Sequence, residues 1–76
     1  MHVRITRVND SWTRGAALVA DSEGREIGMH WRRRGGGHVD IWSGTDNGGD
    51  ENDLFLFFDE NEREQIAAAI EAARFA

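Results

Sequence analysis

Residues 27–43 read Ile27-Gly28-Met29-His30-Trp31-Arg32-Arg33-Arg34-Gly35-Gly36-Gly37-His38-Val39-Asp40-Ile41-Trp42-Ser43, two alternating segments around three glycines. Successive side chains of a strand point to opposite faces, so Ile27, Met29 and Trp31 share one face and Gly28, His30 and Arg32 the other. Val39 and Ile41 alternate in the same way with His38, Asp40 and Trp42. The glycines accept the backbone angles of a tight reversal, and the whole segment predicts a β-hairpin. Its register follows from the faces. Met29 and Trp31 must lie with Val39 and Ile41, because a slip by one residue would turn every apolar side chain to water. A three-residue loop pairs Arg34 with His38, Arg32 with Asp40 and His30 with Trp42. A slip by two would pair Arg32 with His38 and His30 with Asp40. The first register is preferred because it sets Arg32 opposite a carboxylate.

Working outward, Val3 and Ile5 alternate with His2, Arg4 and Thr6 as a first half-buried strand. Asn9-Asp10-Ser11 has turn composition, residues 15–20 form a strand of small residues, and Asp21-Ser22-Glu23-Gly24 is a further turn. Downstream, Leu54 to Phe58 is apolar at every position, which predicts a strand covered on both faces. Asp59 with Glu62 three residues later has the spacing of a capping box. Ile66, Ala69, Ile70 and Ala73 then share one helical face, and Glu60, Glu62 and Glu64 sit where the helix dipole favours negative charge. The expected fold is α+β, one domain over residues 1–76. An antiparallel β-sheet of four to five strands is followed by one C-terminal α-helix packed on it.

A chain of 76 residues buries only ~60% of the surface its unfolded form exposes, so the core is thin. Cysteine is absent, which removes disulfides, thiolate nucleophiles and cysteine zinc sites from the expectations. No apolar run approaches the ~20 residues of a membrane span, and no signal-peptide pattern opens the chain. A cytoplasmic setting is expected. All nine basic residues are arginine; a GC-rich coding bias is the plainer account, and a need for forked, planar donors the sharper one.

Charge is divided along the chain. Residues 1–38 carry a formal +3 and residues 39–76 a formal −8, giving the net −5. Arg4, Arg7, Arg14 and Arg25 fall on separate strands and turns, so Arg32, Arg33 and Arg34 are expected to form the one concentrated basic patch. From Asp46 to Glu64 there are eight acids and one base. The EF-hand spacing fails there, since the sixth position from Asp46, where glycine is demanded, is Glu51. The serines have no nucleophile-elbow context, and His2, His30 and His38 lack metal-ligand spacing. No catalytic residue, metal or cofactor is therefore expected.

The leading expectation is a small acidic, non-enzymatic protein-binding module. Asp46, Asp50, Glu51, Asp53, Glu60 and Glu64 would meet a basic surface on the partner, with Trp12 and Trp42 as aromatic anchors. In size and acidity the chain is similar to phage-encoded inhibitors of bacterial defence such as anti-CRISPR proteins. That is a likeness of composition, carried by no motif. The alternative is an RNA or single-stranded DNA binder using Arg32, Arg33, Arg34, His38 and Trp42, where guanidinium groups hold phosphates and an aromatic stacks a base. A third is a homodimeric or structural subunit whose sheet face completes a larger assembly.

Overall fold

The computed structural model describes residues 1–44 and 51–74, and only the backbone of Arg7, Val8, Glu51 and Asn52. Four strands, β1 (His2–Val8), β2 (Arg14–Ala20), β3 (Glu26–Arg33) and β4 (Val39–Trp42), form an antiparallel meander in the order β1-β2-β3-β4. The helix α1 (Glu60–Ala73) follows and packs on the sheet, with β1 and β4 both touching it. The fold is α+β, as the periodicities require.

Each strand junction carries its own turn chemistry. After β1, the Asn9 carboxamide oxygen accepts from the backbone N–H groups of Thr13 and Arg14 at 2.9 and 3.2 Å. After β2, the Asp21 carboxylate accepts from the N–H groups of Glu23 and Arg25, both at 2.9 Å, and Gly24 takes φ +82°. The hairpin of β3 and β4 has the register expected from its faces: His30 opposite Trp42, Trp31 opposite Ile41 and Arg32 opposite Asp40. Gly35–Gly37 form a single 3-10 turn in which Gly36 and Gly37 have φ near +78°, a conformation costing most other residues about 1–2 kcal/mol.

The core lies between the sheet and α1. Ala17, Val19, Met29, Trp31 and Ile41 supply the sheet side, and Ile66 and Ile70 the helix side. The Trp31 indole N–H donates to the Ala16 carbonyl at 3.2 Å, so its one polar atom is satisfied in the interior. The helix begins at the expected capping box: Asp59 accepts from the Glu62 N–H at 2.8 Å, and the Glu62 carboxylate accepts from the Asp59 N–H at 3.1 Å.

The expected fifth strand at Leu54–Phe58 is not a strand. Glu51–Leu56 is a 3-10 turn, closed by the N–H groups of Phe57 and Phe58 donating to the Leu54 carbonyl. Leu54 and Phe58, four residues apart, are the two that enter the core. A continuous apolar run has no period to distinguish extended from helical backbone. Here α1 already covers the apolar face of the sheet, so the run serves as a plug at its end.

Candidate functional site

Strand alternation separates two charged surfaces on opposite sides of the sheet. The side away from α1 takes the even-numbered residues of β2, β3 and β4. Arg14, Arg32 and Asp40 lie in one row across these strands, and Ala16, His30 and Trp42 in the next. Arg4, opposite Leu18, is farther along the same face. The arginines of the first half are thus less scattered than their sequence positions imply. Register brings three of them to one open face.

At the hairpin end, one carboxylate faces three bases. Asp40 is 2.7 Å from Arg34 Nε, 3.2 Å from His38 Nε2 and 3.9 Å from Arg32 Nη2. Exposed pairs of this kind contribute about 0–1 kcal/mol each, so the cluster orders side chains more than it stabilises the fold. Trp42 is stacked by the His30 ring at 5.9 Å, with the Arg32 guanidinium also 5.9 Å from its centroid. Of the residues proposed for nucleic acid, Arg32, Arg34, His38 and Trp42 therefore come together.

Arg33 does not join them. It lies on the α1 side with its side chain 8% exposed. Its Nη1 donates to Glu71 at 3.1 Å and its Nη2 to the Ile70 carbonyl at 2.9 Å. Ile70 is among the last four helical residues, whose carbonyls lack an intrahelical partner. A cation there also complements the helix dipole. Arg33 is a clamp between β3 and the end of α1. Its parity with Trp31 was the sequence signal for this.

The second surface is acidic and surrounds the junction of the 3-10 turn with α1. Asp53, Glu60 and Glu64 are exposed, and Asp53 accepts from the Ser43 hydroxyl at 3.2 Å. Asp46 and Asp50 lie outside the described residues, as does the side chain of Glu51. Among these acids sit three consecutive exposed apolar residues: Phe55 at 51%, Leu56 at 78% and Phe57 at 45% exposure. Composition had placed all three inside, so this feature was missed. The Arg63 guanidinium carbon stands 3.5 Å from the centre of the Phe55 ring, holding that ring over α1. Leu56 is the most exposed of the three.

Trp12, expected as an anchor, is half-buried against the core in the β1–β2 turn, with φ +57°. Among the described residues no group of three His, Cys, Asp or Glu side chains is placed to hold a metal ion. No helix there is long and apolar enough to cross a membrane. No family model matches this chain, and neither a curated protein nor a solved structure matches it.

Proposed function

We propose that this chain is a protein-binding module that docks through its acidic side, where the 3-10 turn meets α1. The observation that carries the reading is the exposure of Phe55, Leu56 and Phe57 between Asp53 and Glu60. Adjacent large apolar side chains in water are costly in a domain with so thin a core, and a polar rim around them is the arrangement of a binding hot spot. The acids select a partner surface rich in Arg and Lys and raise the rate of encounter. Such docking makes the chain an inhibitor wherever that basic surface normally holds something else.

The test is retention of a partner from an extract of the source cells by the immobilised chain. The wild type and Arg32→Gln/Arg34→Gln retain it. Leu56→Ser/Phe57→Ser and Glu60→Gln/Glu64→Gln lose it. Equal retention by all four would contradict the reading.

A second reading rests on the opposite face, where Arg14, Arg32, Arg34 and Trp42 form a small basic platform able to take a single-stranded nucleic acid. Filter binding of oligo(dT) and oligo(U) across a salt series tests it. Lack of retention at low salt removes it.

A further inference from the structure

A groove of about 730 Å³ runs between the outer edge of β4, which pairs with no further strand among the described residues, and the helix α1. Val39 and Ile41 line its sheet side, Glu60 and Glu64 its helix rim, and Ala67 and Ala68 its floor. In an antiparallel pair, residues alternate between those bonded to the neighbouring strand and those whose N–H and C=O point away. Two bonds fix the phase here. The Arg34 N–H donates to the His38 carbonyl at 2.7 Å, while the Arg33 N–H turns to β2 and donates to the Thr13 carbonyl at 2.7 Å. His38, Asp40 and Trp42 therefore face β3, and the backbone groups of Val39 and Ile41 face the groove.

The two edges of the sheet are treated differently. β1 is interrupted by a bulge between Ile5 and Arg7, a common way to blunt an edge against pairing. The ladder of β4 is regular along its whole length. It leaves two donors and two acceptors aligned beside a helix that supplies small side chains.

We propose that this groove takes an extended, basic segment of the protein partner, which adds as a fifth strand to the edge of β4. The inference rests on the protein-binding reading above and specifies its geometry. The backbone groups of Val39 and Ile41 recognise extended main chain, as in other cases of strand addition. Ala67 and Ala68 leave room for apolar side chains on one side of that strand. Arg63 also lines the groove, but its guanidinium is engaged by the Phe55 ring, so Glu60 and Glu64, which have no cationic partner among the described residues, select Arg or Lys along the rim. A second copy of this chain fits less well, since it would bring its own Glu60 and Glu64 against the same acids.

The probe is an end-blocked octapeptide alternating arginine and valine, titrated into the isotope-labelled chain. Binding slows hydrogen exchange at the Val39 and Ile41 amides and shifts resonances of residues 60–72. Methylating alternate peptide nitrogens weakens binding about tenfold or more, because ladder hydrogen bonds are lost while charge is kept. Ala68→Trp, at an exposed helical position, fills the groove and has the same effect on a folded protein. Glu60→Gln/Glu64→Gln flattens the salt dependence. Three results would overturn the inference: unchanged exchange at Val39 and Ile41 with millimolar peptide, equal binding of the methylated peptide, or protection of these amides in the free chain together with a dimer mass. If the extract partner remains sensitive to Leu56→Ser/Phe57→Ser while the octapeptide fails, the docking reading stands and strand addition alone falls.

Discussion

Arg33 shows how one residue's parity outweighs its company in the sequence. It stands between two exposed arginines, yet its side chain is buried and tied to Glu71 and to the Ile70 carbonyl. Removing a buried, doubly bonded charge leaves both acceptors short of a donor. Arg33→Gln is therefore expected to lower the unfolding free energy by about 2–3 kcal/mol in urea denaturation. Arg33→Lys recovers little of this, because a single ammonium cannot span both acceptors in the same plane. Arg32→Gln, on the open face, changes stability by less than about 0.5 kcal/mol. Asp21 offers a pH test. Its partial burial alone would raise its pKa, but it accepts bonds from the Arg25 and Glu23 N–H groups and from the Arg25 guanidinium, and the net result lies below the ordinary 3.8. A depressed folded value means that its contribution is complete above the unfolded pKa and is lost as pH falls through the folded one. The stability difference between wild type and Asp21→Asn should therefore be constant near neutrality and shrink below about pH 4. A difference independent of pH down to full protonation would contradict this.

Among the elements, the hairpin and α1 were legible because their determinants are local. Alternation fixes the faces of β3 and β4, and Asp59 with Glu62 fixes the start of the helix. Asp59→Ala is expected to cost about 1 kcal/mol by thermal denaturation, the usual worth of an N-cap. The segment Leu54–Phe58 was not legible, since nothing in five apolar residues says which of them are inside. The 3-10 turn makes a sharp distinction between neighbours. Leu54→Ala should destabilise by about 2–5 kcal/mol, because Leu54 is fully buried. Leu56→Ala should stay within about 0.5 kcal/mol. A strand buried on both faces would make the two substitutions similarly costly.

At the scale of the whole molecule, the division of charge along the chain becomes a division across the sheet. Arg4, Arg14 and Arg32 lie on the open face beside the acids Glu26 and Asp40, while Glu60 and Glu64 stand on the helix side. That outcome depends on pairings between β1, β2 and β3, which turn lengths and the bulge after Ile5 set together. Strand alternation within one segment does not contain them. The apolar knob of Leu56 and Phe57 then gives the acidic side a feature that charge alone lacks. Docking through that side is the central claim, and the salt dependence of partner affinity tests it most directly. Neutralising Glu60 and Glu64 should weaken binding about tenfold at low salt and flatten the slope, while neutralising Arg32 and Arg34 leaves both unchanged. The reverse pattern, with the slope carried by Arg32 and Arg34, would contradict the account.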